Sequence, residues 1–269
     1  MTASADWPML ATSIAKAEQE GATLGVCVLA PDGSRFAHHA TRRFVAASTV
    51  KIAIMVELFR RIDAGALRLD ESQRLRAEDK ADGSGVLARL HTGLELTLGD
   101  LAYLMMSISD NSATNMLIER LGMTAVNATM QALGMRQSVL GRKMRGALRN
   151  EGEQENWAVP EDYAALIAAI LHGQAASAAS CAAMQALLES QQNERRLARH
   201  LPQRDRPRWG SKTGSLPGVC NDVGFVLTPV GPLILAVFCE NPPDPHAGEA
   251  IIGAIAQAAM ASAAATGRG

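Results

Sequence analysis

The sequence predicts an α/β fold: an antiparallel sheet built from both chain ends and packed with helices, plus an all-helical lobe inserted between the two halves of the sheet. Three observations predict it. Apolar segments of strand length occur near the start of the chain and again near its end. The long interval between them shows helical periodicity broken by glycines and polar junctions. Within that interval, residues 44–59 (FVAASTVKIAIMVELF) are apolar almost all the way round, the pattern of a helix buried at the centre of a domain. Residues 1–45 and 205–269 are therefore expected to form an α/β lobe and residues 46–204 a helical lobe, the two making one structural unit.

Each element has its own signal. Residues 7–20 form an amphipathic pattern stopped by Gly21. Residues 23–29 make an apolar strand, and Pro31-Asp32-Gly33-Ser34 turns the chain into a second strand over 35–39. The buried helix comes next, with Ser48 or Thr49 as its N-cap and Gly65 as its stop. A charged connection over 70–82 leads to Gly83-Ser84-Gly85, expected to be a flexible break. Three helices follow closely, over 98–107, 112–121 and 124–133, with Gly122 ending the second. Residues 141–159 are polar and aperiodic, which predicts a long surface loop of the kind that tends to be functional. Pro160, followed by Glu161 and Asp162, opens another helix that ends before Gly173. Strands over 222–227 and 233–239, joined by Thr228-Pro229-Val230-Gly231, and a helix over 247–264 close the chain.

Composition removes several function classes. A net charge of −1 gives no electrostatic basis for binding nucleic acid or an anionic membrane. Cys27, Cys181, Cys220 and Cys239 have neither C-x-x-C nor zinc spacing, so buried thiols are expected rather than a disulfide framework. The opening MTASADWPML lacks the basic start and apolar core of a signal peptide, and no uninterrupted apolar run has transmembrane length. A cytoplasmic protein is the expectation, or a periplasmic or secreted one if a leader has been trimmed. His38, His39, His91, His172, His200 and His246 fall in no H-E-x-x-H or other metal-ligand spacing, and the tandem His38-His39 is most simply a surface pair at a strand end. G-x-S-x-G, Walker A and dinucleotide-binding sequences are missing as well, and no cofactor is expected.

What remains is a serine chemistry. Ser48 and Lys51 are three apart and share a face in the first turn of the central helix. A lysine desolvated there loses its preference for the charged form and can take the serine proton. The N–H groups at that helix start suit a developing oxyanion. Alone, the pair is weak: 16 serines and 5 lysines in 269 residues give about 0.3 S-x-x-K matches by chance. A capping serine with a snorkelling lysine would explain one such match. Two further motifs stand with it. Ser109-Asp110-Asn111 lies between two helices, where a hydroxyl can relay a proton and an Asn amide can hold a carbonyl, although it is also a common N-cap sequence. Lys212-Thr213-Gly214 precedes the last strands; its glycine admits a ligand against the backbone and its neighbours offer donors to an anion.

S-x-x-K, S-D-N and K-T-G in this order are the set found in class A β-lactamases and penicillin-binding proteins. Their flanks, FVAASTVKIAIMVELF, LTLGDLAYLMMSISDNSATNMLIERLG and KTGSLPGVCNDVGFV, resemble class A β-lactamases and related serine hydrolases over nearly the whole chain. The resemblance implies a β-lactamase/transpeptidase-like fold and a small-molecule substrate, a β-lactam or a related amide or ester. It implies Ser48 as the acylated nucleophile, Lys51 as proton acceptor and Ser109 as the relay to the leaving nitrogen. Asn111 would hold a substrate side-chain amide, Lys212 and Thr213 its carboxylate, and the N–H groups of Ser48 and Ser215 would form the oxyanion hole.

The chain departs from that family at three places. No Glu of the 141–159 loop has an Asn four residues on, so E-x-x-L-N is missing there, and Glu151, Glu153 and Glu155 are the glutamates left in the loop. Cys220 stands where relatives often carry an Arg, and Met55 and Ala102 stand where some carry a disulfide. The first departure bears on deacylation. The expectation is a serine hydrolase that opens a β-lactam through an acyl-enzyme on Ser48. The alternatives are a related peptidase, amidase or esterase, or a penicillin-binding receptor that stays acylated.

Overall fold

The structure, a computed structural model, describes residues 7–266. Most of the opening segment tested for a leader and the last residues of the expected α/β lobe lie outside the described residues. Helix α1 (Pro8–Gln19) starts with proline at its first turn, where the missing N–H costs nothing, and buries Leu10, Ile14 and Ala17. Strands β1 (Thr23–Leu29) and β2 (Arg35–His38) form the first hairpin, and β3 (Phe44–Val45) leads to a 3₁₀ turn over Ala47–Val50. Helix α2 (Lys51–Asp63) buries every residue from Lys51 to Phe59. At roughly 1.5–3 kcal/mol for each fully buried Ile, Val, Leu, Phe or Met, that makes it the anchor of the main core.

The capping expectation needs correction. Helix α2 starts at Lys51 and has no side-chain cap, because Ser48 and Thr49 are already inside the 3₁₀ turn; the Thr49 hydroxyl donates backward to the Ala46 carbonyl at 2.7 Å. A serine enclosed in the turn leaves its side chain to the cleft instead of to the helix.

The connection over 70–82 is not structureless: β4 (Ser72–Arg74) pairs with β5 (Glu95–Thr97), and its exposed charged residues hid it from a hydrophobic pattern. Gly83-Ser84-Gly85 is also no loose break. Gly85 has φ +105°, and a Cβ built there would lie 2.2 Å from the Asp110 carboxylate, so this position is close-packed and closed to side chains. The Asp110 carboxylate also accepts the N–H groups of Val86 and Leu87.

Helices α3 (Leu98–Ser107), α4 (Asn111–Leu121) and α5 (Met123–Ala132) follow as expected, with Gly122 in the left-handed region at the α4–α5 junction. The segment 141–159 ends in a short strand, β6 (Trp157–Ala158), paired with β3, and Glu155 and Asn156 before it are buried. It is thus only partly a surface loop. Helix α6 (Pro160–Leu171) packs on the sheet, and α7 (Ala178–Glu189), capped by Ser177, follows without a sequence signal strong enough to find it among alanines.

Strands β7 (Trp209–Leu216), β8 (Val219–Thr228) and β9 (Gly231–Glu240) complete a five-stranded antiparallel sheet in the order β2-β1-β9-β8-β7. Both chain ends supply it, as expected. Period-two alternation divides its faces: Leu233, Leu235, Val237 and Cys239 of β9 face a core shared with α1 and α8 (Pro245–Thr266), while Ile234, Ala236 and Phe238 face the core of α2. All four cysteines are free and buried. One described helix, over residues 245–264, is long and apolar enough by length and composition to cross a membrane, although Glu249 interrupts its apolar run. Its apolar face is the one spent on the sheet and on α1, where Ile252, Ile255, Ala256 and Ala259 are fully buried.

Candidate active site

The turn that carries Ser48 is held from three directions. Ala46 N–H donates to the Asn156 carbonyl at 2.7 Å, and the Asn221 amide donates to the Val45 carbonyl at 2.8 Å. Strand β7 closes the third side: a Cβ on Gly214 would lie 2.9 Å from the Ala46 carbonyl oxygen and 3.2 Å from Ser48 N. Glycine at this position is what lets β7 lie against the turn. Ala47 carries φ +46°, a strained setting for a residue with a side chain, and it survives because these contacts overdetermine the turn.

Ser48, Ser109, Thr213 and Ser215 line one cleft of ≈ 580 Å³ together with Ser84, Ile108 and Gln191. Ser48, Asn111 and Ser215 also line a narrow adjoining recess with Arg142 and Asn156. Lys51 and Lys212 are fully buried beneath. The structure therefore gathers all seven candidate residues around one site.

The Lys51 ammonium donates to the Ser109 carbonyl at 2.7 Å, the Asn111 side-chain oxygen at 2.9 Å and the Ser109 hydroxyl at 3.0 Å. Asn111 passes the chain of bonds on, donating to the Asp82 carbonyl at 2.8 Å. Ser109 itself has φ +61°, which turns both its carbonyl and its hydroxyl toward Lys51. Asp110 is the α4 cap, accepting Ala113 N–H at 2.9 Å, so the Ser-Asp-Asn segment is a capping sequence and a site segment at once. Burial pushes the Lys51 pKa well below the usual lysine range; Lys212 adds to the fall and Asp110 opposes it. A neutral amine has two N–H groups for three acceptors. In that form its lone pair can take a proton from a hydroxyl, and the Ser109 bond can reverse.

Behind Ser215, Arg196 is buried against β7 and β8. It is 5% exposed and donates to the Ser215 hydroxyl at 2.6 Å, the Gly214 carbonyl at 2.9 Å and the Asn221 carbonyl at 2.7 Å. Sequence reasoning missed it because it stands 19 residues from Ser215 in the segment after α7. Asn156 was missed for a similar reason: it is a buried amide in a segment expected to be surface loop.

Burial lowers the Lys212 pKa to about 7 from an ordinary 10.5, with Asp222 opposing and Arg196 adding to the fall. Between those two values the unfolded chain holds a proton that the folded protein lacks, so stability rises with pH. Lys51 acts in the same direction. Above about pH 8.5 the buried thiols, whose pKa values burial raises, oppose the trend. The thermal midpoint is therefore expected to climb from pH 7 to about 8.5, and less steeply in Lys212→Met. Equal slopes in the two proteins would show that Lys212 keeps its proton on folding.

None of the loop glutamates lines either pocket with Ser48. Glu155 is buried; its carboxylate accepts from Arg142 at 2.9 and 3.1 Å and from the N–H groups of Arg149 and Asn156. Glu153 pairs with Arg145, whose hydrogen bond, together with the Asn150 N–H, lowers its pKa to about 2. Glu151 is exposed.

Residues 9–263 match the model of the beta-lactamase enzyme family. Among solved structures, a β-lactamase from Sphaerobacter thermophilus is 55% identical over 98% of both chains, with a TM-score of 0.94. A variant of the last common ancestor of Gram-negative bacteria class A β-lactamase is 29% identical over 94% of this chain and 97% of its own, with a TM-score of 0.86. A mutant of PBP-A, described as an acyl-enzyme complex with penicillin-G, is 25% identical over 93% of this chain and 95% of its own, with a TM-score of 0.81.

Proposed function

The chain belongs to the beta-lactamase enzyme family, as a serine β-lactamase-type hydrolase, and on that premise we propose that it opens β-lactams through an acyl-enzyme on Ser48. The observation that carries the proposal is Lys51: fully buried, its pKa depressed, and bonded to both Ser109 and Asn111.

Neutral Lys51 takes the Ser48 proton as the hydroxyl oxygen attacks the lactam carbonyl carbon. The tetrahedral oxyanion sits against the N–H groups of Ser48 and Ser215. As the carbon–nitrogen bond breaks, Ser109 gives its proton to the leaving nitrogen and recovers one from the Lys51 ammonium. Asn111 holds the substrate's side-chain amide. Lys212 and Thr213 bind its carboxylate, with the Arg196 guanidinium behind Ser215 adding fixed positive charge. Water then releases the acyl group. Glu155 and Glu153 are engaged by Arg142 and Arg145 and line neither pocket with Ser48, which supports slow release.

A second reading, a receptor that stays acylated, is favoured by the same two ion pairs and by the acyl-enzyme described for the PBP-A mutant. Intact-mass measurement after mixing with a penicillin, a cephalosporin and a carbapenem tests both. The expected result is a covalent adduct of the full mass of the β-lactam, less the C3′ substituent for a cephalosporin that carries a leaving group there, since ring opening by addition otherwise expels nothing. No adduct and no turnover with any of the three would reject the proposal, and hydrolysis of simple activated esters alone would leave the esterase reading.

A further inference from the structure

His38 and His39 find in the structure a third partner that their spacing concealed. Glu18, in the last turn of α1, places Oε1 2.8 Å from His38 Nε2 and 3.9 Å from His39 Nδ1. One potential ligand atom from each of the three lies within 4.8 Å of the other two. Consecutive strand residues point to opposite faces, so a tandem His-His would ordinarily diverge. Here β2 ends at His38, and His39 takes φ +43°, which swings the second imidazole to the side of the first; the ring centroids are 4.2 Å apart. His39 Nδ1 also lies 3.0 Å from the Leu24 carbonyl. A carbonyl can only accept, so in this contact Nδ1 carries the ring hydrogen; Nδ1 is also the nitrogen that faces Glu18, and a cation bound there moves that hydrogen to Nε2 and takes the place of the Leu24 bond.

We propose that Glu18, His38 and His39 form a surface site for a divalent cation of the zinc class, held by two imidazoles and one carboxylate. Two nitrogens and one oxygen suit Zn²⁺, leaving a fourth position for water. The cation takes the place of the hydrogen between His38 Nε2 and Glu18; exchange through solvent returns that hydrogen to the ring at Nδ1, so a neutral imidazole binds without net loss of a proton. All three side chains are partly exposed, so the site can exchange with solution. It joins the C-terminal end of α1 to the edge strand β2. Four strand spacings, about 19 Å, separate β2 from β7 and the Ser48 cleft, so the site has no part in the chemistry there.

Calorimetric titration of chelator-treated protein with zinc chloride, at about pH 7.5 where imidazoles are mostly neutral, tests it. The wild type is expected to bind one equivalent with micromolar affinity and to show a higher thermal midpoint in excess zinc. The double variant His38→Gln/His39→Gln should lose that equivalent, and Glu18→Gln should weaken it about 10–100-fold. β-Lactam turnover should be the same with and without zinc. Four other histidines and four thiols can hold zinc adventitiously. Unchanged stoichiometry and affinity in the double variant, or in Glu18→Gln if the double variant does not fold, would overturn the proposal. So would the absence of saturable binding to the wild type.

Discussion

Ser48→Ala is expected to eliminate the covalent adduct and to lower β-lactam turnover by about 10⁴–10⁶-fold, the loss typical of removing a nucleophile that works as a unit with its base. Nothing else lining the cleft replaces it. Lys51 is buried, and the depressed pKa that suits it to take a proton also makes its amine a potential nucleophile, yet its nitrogen is committed to Ser109 and Asn111. The fold should be untouched. The Ser48 side chain caps no helix, since α2 begins at Lys51 without a side-chain cap. The substitution belongs with those that change stability by no more than about 0.5 kcal/mol. Intact mass and thermal melting of the same sample make the check. A variant that keeps its adduct would move the nucleophile elsewhere, and one that melts several degrees lower would show that the side chain has a structural partner as well.

Release of the acyl group is expected to limit the cycle. Acylation has a candidate for every part: Ser48, Lys51, Ser109 and two N–H groups beside a cleft with Lys212 and Arg196 buried behind Thr213 and Ser215. Deacylation needs a water and a base poised near solution pH. Glu155 has both carboxylate oxygens occupied by Arg142 and backbone N–H groups, and Glu153, with a pKa of about 2, is too weak a base to be effective. Losing a positioned base slows a step by about 10²–10⁴-fold. Stopped-flow with a chromogenic cephalosporin should therefore give a burst close to one equivalent and then a slow steady rate. Rapid linear turnover without a detectable acyl-enzyme would contradict this and mean that one of the three loop glutamates reaches the site during the cycle. Single Gln substitutions at positions 151, 153 and 155 would find it. Of these, Glu155→Gln alone should also lower the thermal midpoint, because it breaks a buried ion pair with Arg142.

The residues legible from sequence are those whose partners are close in the chain or whose pattern repeats. Ser48 and Lys51 share a turn because a helix brings residues three apart together, and that needs no knowledge of the rest of the protein. Period two marks the strands of the sheet, and the unbroken apolar surface of 51–59 marks the buried helix. Motif order, flanks and fold class follow from such local facts. Contacts between distant segments are different, because packing decides them. Whether Ser48 caps α2 depended on β7 pressing Gly214 against the turn before it. The arginine beside Ser215 comes from position 196 and not from 220, because α7 and the segment after it end over β7 and β8. Gly83-Ser84-Gly85 looked loose until Asp110 was found filling the space beside it. Glu153 and Glu155 were equivalent letters until Arg145 and Arg142 claimed them in different ways, one at the surface and one in the interior. Glu18 meets His38 only because α1 packs beside the first hairpin, 20 residues away along the chain. Local periodicity determined the fold class, and the three motifs with the resemblance they carry singled out the catalytic letters; the tertiary packing of distant segments decided which side chains those letters face.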